Sequence, residues 1–170
     1  MLAMNNDKIR QAVAFTGPSN SGKTTLIVKI ADLLIERGYK VAIIKHDPND
    51  KAIFDKEGKD SYKFSKTGSE VAVLSPNRTT LFKKATSEID EIINMFSDFD
   101  FLLVEGLKTI PLPRICIQRG SLNFDYFDVS DCIAVDETIN KNEIPKEMNI
   151  LDLNNTEMII DWIKEHGQKV

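Results

Sequence analysis

The sequence predicts a three-layer α/β fold in which helices cover a mostly parallel central sheet. Short apolar segments of strand length alternate with segments whose apolar residues recur at helical spacing, and no internal repeat interrupts this order. A glycine-rich turn joins the first predicted strand to the first predicted helix. Strands that alternate with helices are typical of parallel sheets, because parallel neighbours need long crossover connections. At 170 residues the chain predicts one domain over residues 1–170 with a single core.

The first elements follow from periodicity and glycine placement. The segment AVAFTG, residues 12–17, indicates a buried strand that ends in a glycine. From Lys23 to Arg37 apolar residues recur at helical spacing, and Gly38 occupies the position of a helix C-terminal cap. YKVAIIKHD, residues 39–47, predicts the second strand. The polar residues 48–59 that follow predict a mobile loop.

The rest of the chain continues the alternation. The remaining predicted elements are a helix at 60–66, strands at 71–74 and 79–82, a helix within 86–96 opened by a capping box of Ser87 and Asp90, strands within 99–106, 114–119 and 131–137, and a closing helix at 156–166. The segment between Glu105 and Arg114 is too short for a helical crossover. We therefore expect an antiparallel excursion there, added to the mostly parallel sheet.

Composition excludes several classes of protein. The chain is 42% hydrophobic and 28% charged with a net charge of −4, which argues against a nucleic-acid-binding surface driven by overall charge. No segment reaches membrane-spanning length, and the N-terminal MLAMNNDKIR has no apolar stretch typical of a signal peptide. Cys116 and Cys132 both lie among aliphatic residues, which favours reduced core thiols. We expect a cytoplasmic protein that contacts neither membrane nor nucleic acid.

The stretch GPSNSGKTT has the spacing of a P-loop and lies between a predicted strand and a predicted helix. Glycines at both ends let consecutive backbone N–H groups point at phosphate oxygens, and the helix start adds a positive dipole end. Lys23 would neutralise the β- and γ-phosphates, and the Thr24 hydroxyl would bind Mg²⁺. The predicted nucleotide-binding residues are Gly17, Pro18, Ser19, Asn20, Ser21, Gly22, Lys23, Thr24 and Thr25.

A P-loop needs a carboxylate to hold the metal's water shell. Glu105 ends the apolar run FLLVE and is the first candidate, while Asp47, at the end of the second strand, is its rival or partner. His46 beside it is a candidate ligand contact or a structural residue. NKNE, Asn140 to Glu143, is similar to the guanine-reading NKxD motif, but its position beyond the strand favours an ordinary loop. GTP and ATP both remain open from these residues alone.

Four stretches together resemble the family of molybdopterin-guanine dinucleotide biosynthesis adapter proteins: GPSNSGKTTL, IERGYKVAIIKHD, GKDSYKFSKTG and FLLVEGLKTIPLPRICIQR. The resemblance implies a P-loop NTPase-like fold that is usually dimeric, and a protein that binds GTP and hydrolyses it slowly at best. It also implies a partner, the guanylyltransferase that joins GMP to molybdopterin. Members commonly carry further histidines after the first, whereas this chain reads KHDPND, where Asp47 and Asp50 are partial substitutes.

Basic and polar residues outside the P-loop predict a second pocket that binds anions. It would suit the phosphate of a pterin such as molybdopterin, or a nucleotide held by a partner. The candidates are His46, Lys59, Asp60, Arg78, Lys108 and Arg114. Asp60 lies in the GKDS stretch and is equally well placed to cap a helix. A solvated basic face is the alternative for the lysines and arginines.

Two functions compete at this point. One is a GTP-binding adapter for molybdenum-cofactor maturation, at most a slow GTPase, with GTP and Mg²⁺ as ligands. The other is a small-molecule kinase, which normally closes an arginine-rich lid over the phosphates. Residues 48–60 contain no arginine, and the resemblance favours the adapter.

The sequence also predicts a homodimer. The short segments Thr79–Phe82 and Arg114–Gln118 alternate apolar and polar residues but have few sequence neighbours to cover both faces. Pairing of identical chains across a two-fold axis would cover them.

Overall fold

A computed structural model describes residues 10–170, so most of the N-terminal segment considered above lies outside the described residues. Elements are numbered in chain order: β1 (Gln11–Thr16), α1 (Lys23–Glu36), β2 (Val41–Lys45), α2 (Asp60–Lys66), β3 (Val71–Ser75), β4 (Arg78–Phe82), α3 (Ile89–Met95), β5 (Phe101–Glu105), β6 (Arg114–Gln118), β7 (Cys132–Val135), β8 (Asn149–Asp152), α4 (Thr156–His166) and β9 (Gln168–Lys169). Two short 3-10 helices span Phe124–Val129 and Lys141–Glu143.

The chain divides into two compact units. The first combines the described residues up to His46 with Asp98–Val170, and the second is Asp47–Ser97. The expectation of one domain over residues 1–170 stays a prediction beside this division.

A parallel sheet forms the centre of the first unit. Its strand order is β2-β5-β1-β6-β7-β8, every one of these neighbours runs parallel, and β9 adds an antiparallel pair at the start of β1. Side chains alternate across β6: Ile115 and Ile117 join the core with α1 and α4, while Cys116 packs on the opposite face with Phe127. The α/β class with a mostly parallel sheet is confirmed.

Strand β6 corrects part of the prediction. It is fully buried between β1 and β7 and runs parallel to both, so the antiparallel excursion expected after Glu105 is not there. The register explains how eight residues suffice for this parallel connection: β6 pairs only with Ala14–Thr16, so Arg114 begins level with the last residues of β1. The chain therefore crosses the end of β1 without running back along the sheet.

The two cysteines agree with the sequence. Cys116 and Cys132 are buried and free, and burial raises the pKa of both thiols. They are core residues rather than a disulfide.

The second unit contains α2, the antiparallel pair β3–β4, and α3. The expected antiparallel strands thus exist, but as this hairpin. The predicted capping box is wrong: Glu88 is the N-cap of α3 and makes no side-chain cap, while the Ser87 hydroxyl accepts a hydrogen bond from Lys83 at 2.8 Å. The Ser87 hydroxyl therefore bonds to the Lys83 ammonium and caps no backbone N–H of α3.

Across residues 10–170, no helix has the combination of length and apolar character that crossing a membrane requires.

Candidate functional site

The predicted P-loop joins β1 to α1 at the centre of the sheet. β1 lies between β5 and β6, so the loop emerges between the ends of these two strands. A Cβ on Gly17 would lie 2.2 Å from the carbonyl oxygen of Ile117, so only glycine fits this approach to β6. Gly22 has φ 98° and is the N-cap of α1 without a side-chain cap. The first N–H groups of α1 are therefore not capped by that side chain and can meet a phosphate.

Lys23 lies folded over the loop. Its Nζ donates to the carbonyl oxygens of Gly17 at 3.0 Å and Pro18 at 2.6 Å. Burial lowers the pKa of this lysine, and the nearby carboxylate of Glu105 partly opposes that effect. The two hydrogen bonds of this half-buried ammonium go to neutral carbonyls, so a phosphate that entered the loop would compensate its charge better.

The middle of the loop carries two further signs of a phosphate cradle. Asn20 has φ 62°, a left-handed conformation that non-glycine residues seldom adopt. The Ser21 hydroxyl is buried without a hydrogen-bond partner among the described residues. Buried polar atoms are normally paired, so this orphan fits a loop whose ligand supplies part of the bonding.

Thr24 and Glu105 meet beside the loop. The Thr24 hydroxyl lies 3.5 Å from the Glu105 carboxylate, because the start of α1 and the end of β5 flank the same turn. His46 follows β2 and donates its backbone N–H to the Glu105 carbonyl at 2.9 Å. These are hard oxygen donors of the kind that Mg²⁺ prefers, and the other ligands of Mg²⁺ are commonly waters and phosphates. In the described residues, no group of three or more His, Cys, Asp or Glu side chains forms a separate metal cluster.

Arg114 holds the segment that follows Glu105. It is almost fully buried, and its guanidinium donates to the carbonyls of Gly106 at 2.8 Å, Leu107 at 2.8 Å and Ile110 at 3.1 Å. Burial lowers its pKa. Leu107 has φ 48°, a conformation that costs free energy and needs outside support. Arg114 thus stabilises the turn behind Glu105, and its N–H groups face carbonyls.

The two other candidates for the second anion pocket in the first unit are His46 and Lys108. His46 is exposed, and a Cβ on Gly106 would lie 3.1 Å from its Cβ. Lys108 stacks its ammonium over Tyr126 at 3.8 Å from the ring centroid.

Four predicted residues belong to the second unit. The Asp47 carboxylate accepts the backbone N–H groups of Lys51 and Ala52, both at 2.6 Å, and so organises its own turn. Lys59 is the N-cap of α2, and Asp60 begins the helix without capping it and pairs with Lys63 at 3.1 Å. Arg78 is exposed at the start of β4. The second anion pocket stays a prediction.

The NKNE stretch forms its own small turn. The Asn140 side chain caps the 3-10 helix Lys141–Glu143 by accepting from Asn142, and its amide donates to Glu143 at 2.9 Å. These contacts agree with the interpretation as an ordinary loop.

Sequence reasoning missed Arg119. It follows β6, and its Nη1 lies 4.0 Å from the position of a Cβ on Gly22. Its Nε donates to Asp136 at 2.7 Å, and Asp136 is only 5% exposed. The signal was available, since an arginine directly after a buried strand next to β1 lies at the sheet edge where ligands bind. The prediction of an antiparallel excursion at β6 hides this signal.

Comparison with known proteins identifies the family. A family model described as "Molybdopterin guanine dinucleotide synthesis protein B" (MobB) matches residues 12–137, well over half of the chain. The chain belongs to the MobB family. It is 31% identical over 157 residues to the molybdopterin-guanine dinucleotide biosynthesis adapter protein of Haemophilus influenzae, covering 89% of this chain and 86% of that protein. Identity to the adapter protein of Escherichia coli is 28% over 168 residues, covering 92% and 93%.

A solved MobB structure shares the fold. The crystal structure of Bacillus subtilis MobB superposes with a TM-score of 0.72 at 22% identity, covering 93% of this chain and 98% of that chain. The resemblance seen in the sequence is therefore confirmed, together with the P-loop NTPase-like fold it implied.

The family match places the site in chemical context. Residues 12–137 contain the P-loop, Glu105, Arg119 and Asp136, whereas the end of β8 and α4 follow the matched region. The P-loop backbone, the Lys23 ammonium and the Thr24–Glu105 pair have the chemistry that a nucleoside triphosphate with a hydrated Mg²⁺ would need. The chain has a P-loop nucleotide-binding fold and belongs to a family of molybdopterin guanine dinucleotide biosynthesis.

Proposed function

We propose that this MobB-family protein binds GTP with Mg²⁺ at the P-loop and assists a guanylyltransferase that attaches GMP to molybdopterin. The observation that carries this proposal is Lys23, whose ammonium lies partly buried against the carbonyls of Gly17 and Pro18. A lysine in this position gains an anionic partner when a triphosphate enters the loop.

Magnesium would be held next to the phosphates by Thr24 and Glu105. The hydroxyl would bind the ion, and the carboxylate would accept hydrogen bonds from its waters. When bound, Mg²⁺ would neutralise part of the charge of the phosphates. The chain's own contribution is to hold the two oxygens 3.5 Å apart at the end of β5, supported by Arg114 behind the turn.

An adapter role fits the residues better than phosphoryl transfer to a small acceptor. Residues 48–60 contain no arginine, and the guanidinium of Arg114 donates hydrogen bonds to three backbone carbonyls. Arg119 is engaged by Asp136 on the side of β1 away from Glu105. The chain therefore binds a nucleotide and assists another enzyme that carries out the transfer.

The experiment has two stages. Calorimetric titration with GTP and ATP, each with and without Mg²⁺, measures base choice and metal dependence. The protein is then mixed with guanylyltransferase and molybdopterin, and GTP consumption and guanine dinucleotide yield are followed together. A raised yield without faster GTP hydrolysis supports the adapter, and a phosphorylated small molecule as product supports the kinase alternative.

A further inference from the structure

Three loops at the ends of β6, β7 and β8 form a wall beside the P-loop. The strand order places β5 on one side of β1 and β6, β7 and β8 on the other. Glu105 therefore lies on one side of the P-loop, and the residues after the other three strands lie on the opposite side. We call these residues the strand-end wall: Arg119, Asp136, Glu137, Leu153 and Asn154.

Hydrogen bonds tie the three loops into one surface. Arg119 is bound to Asp136 at 2.7 Å, and the backbone N–H of Gly120 donates to the Thr138 hydroxyl at 2.7 Å. The N–H of Leu153 donates to the Val135 carbonyl at 2.8 Å. A surface fixed from three strands is preorganised, so it can bind a rigid ligand without losing much conformational entropy.

A small pocket separates the wall from the first turns of α1. Its lining residues are Gly22, Thr25, Leu26, Lys29, Arg119, Leu153 and Asn154. Gly22 and Thr25 belong to the P-loop and its helix start, so the pocket continues directly from the phosphate cradle. A triphosphate whose metal-binding end lies toward Glu105 directs its nucleoside to this side.

Asp136 and Glu137 are adjacent in sequence but differ in burial and in their hydrogen-bond partners. Asp136 is buried, and its carboxylate accepts hydrogen bonds from the Thr138 hydroxyl and N–H and from Arg119, which together hold its pKa below the ordinary value. Glu137 is exposed, and its Oε2 accepts from the side-chain amide of Asn154 at 3.1 Å. Asp136 is thus an anchor, while Glu137 presents a carboxylate beside a pocket-lining amide.

A carboxylate at this place distinguishes purines. Guanine offers two neighbouring donors, its ring N–H and its exocyclic amine, and one carboxylate can accept both. Adenine offers a ring nitrogen with a lone pair at the equivalent position, which a carboxylate repels. A hydrogen bond to a charged group discriminates more strongly than a neutral one.

We propose that Glu137, oriented by Asn154, recognises the guanine base and gives the site its preference for GTP over ATP. The inference rests on the proposed nucleotide binding at the P-loop and adds the residue that selects the base. Arg119 and Leu153 complete the wall against which the nucleoside lies.

The test compares wild type with Glu137→Gln by titrating GTP, ATP and xanthosine triphosphate. Loss of the charge should weaken GTP binding about ten- to a hundredfold, which is the range expected for the loss of one charge-assisted hydrogen bond, and should leave ATP binding nearly unchanged. Xanthosine triphosphate should gain relative to GTP, because xanthine carries an oxygen where guanine has its exocyclic amine and the glutamine amide can donate to it. Asn154→Ala should also lower GTP affinity selectively.

The matched control is Glu143→Gln. Glu143 accepts from Asn140 at 2.9 Å, so it is another exposed glutamate paired with an asparagine, but in the NKNE turn. It should leave all three affinities unchanged. An unaltered GTP-to-ATP ratio in Glu137→Gln, or a shift in Glu143→Gln instead, overturns the inference. If wild type in that case still binds nucleotide and Lys23→Ala weakens this binding, the proposed function stands. Wild type that binds no nucleotide removes the proposed function itself.

Discussion

The hydroxyl of Thr24 and the carboxylate of Glu105 lie 3.5 Å apart although 81 residues separate them in sequence. Thr24 belongs to the first turn of α1, and Glu105 ends β5, the strand that pairs with β1 along its whole length. The parallel register brings Glu105 level with Phe15, just before the P-loop begins. The central sheet itself therefore places the pair where a hydrated metal would meet a nucleotide.

Glu105→Gln tests the metal role. The amide keeps the size of the side chain but removes the charge that would order the waters of Mg²⁺. We expect Mg²⁺ to strengthen GTP binding much less in this variant than in wild type, while metal-free binding changes little. Titrations with GTP in Mg²⁺ and in EDTA measure both quantities.

The sequence rival Asp47 provides the comparison. Asp47→Asn keeps acceptors for the N–H groups of Lys51 and Ala52 and should leave the Mg²⁺ effect intact. If Asp47→Asn loses the Mg²⁺ effect and Glu105→Gln keeps it, the metal role belongs to Asp47.

Lys23→Ala tests the phosphate cradle. It removes a charge-assisted contact of about 1.5–3 kcal/mol, so GTP affinity should fall about ten- to a hundredfold. The melting temperature without ligand should barely change, because the Lys23 ammonium donates to carbonyls of the loop and is not part of the hydrophobic core. Unaltered GTP affinity in a variant with a normal melting temperature would exclude the P-loop as the binding site.

The same lysine predicts a pH dependence. Burial lowers the pKa of Lys23, so its ammonium loses the proton at a lower pH than an ordinary lysine. The charged form attracts phosphate, and GTP affinity should therefore fall as the pH rises from about 7 toward about 10. Lys23→Arg is the control, because guanidinium stays charged throughout this range. Equal slopes for wild type and Lys23→Arg would show that another group titrates.

The sequence predicted the elements of this site better than their neighbours. The P-loop, α1 and Glu105 depend on local signals, namely glycine spacing, helical periodicity and an acidic residue after an apolar run. The course of β6 depends on register: the chain reaches a parallel position after eight residues because β6 meets only the last residues of β1. No local pattern in the sequence indicates that offset, so the sequence does not place Arg119 beside the P-loop.

Arg114 shows a second limit of the sequence. The sequence analysis groups Arg114 with other basic residues as a candidate for a second anion pocket, whereas its guanidinium donates to the carbonyls of Gly106, Leu107 and Ile110. Carbonyl acceptors on an irregular turn leave no trace in the amino-acid pattern. The difference between a ligand-binding arginine and one that supports the backbone becomes visible only in three dimensions.

The β3–β4 hairpin carries the prediction of a homodimer. The register places Ala72, Leu74, Thr79 and Leu81 on one face, and all four are exposed. Leu74 is 79% exposed, which favours cover by another surface. β6, the other segment expected to pair, is buried inside the first unit and is not available. We propose that the hairpin face alone meets a second copy.

Light scattering checks the hairpin prediction. Wild type at micromolar concentration should give twice the chain mass of 19.2 kDa, and Leu74→Lys with Leu81→Lys should shift it toward one chain mass. Val28→Lys is the control, since Val28 is an exposed apolar residue on α1 outside the hairpin. A wild-type mass of one chain contradicts the dimer.

The turnover of GTP decides between adapter and kinase. Fast hydrolysis needs a positioned water and usually an arginine that stabilises the charge of the transition state. The Arg114 guanidinium donates to three backbone carbonyls, and Arg119 is held by Asp136 on the side of the P-loop away from Glu105. P-loop sites that lack this stabilisation turn over at about 10⁻⁴ to 10⁻² per second, and the isolated protein should fall within or below that range.

The decisive measurement follows GTP consumption by the protein alone, with guanylyltransferase, and with guanylyltransferase plus molybdopterin. Arg119→Lys serves as an internal check. If Arg119 acts in hydrolysis, its replacement should lower even the slow rate of GTP hydrolysis. If it lines the nucleoside pocket, its replacement should change the affinity for GTP instead. Guanine dinucleotide should appear faster when the protein is present, at an unchanged rate of hydrolysis. Turnover of several per second by the protein alone would contradict the adapter role, because the adapter is expected to hydrolyse GTP slowly at best.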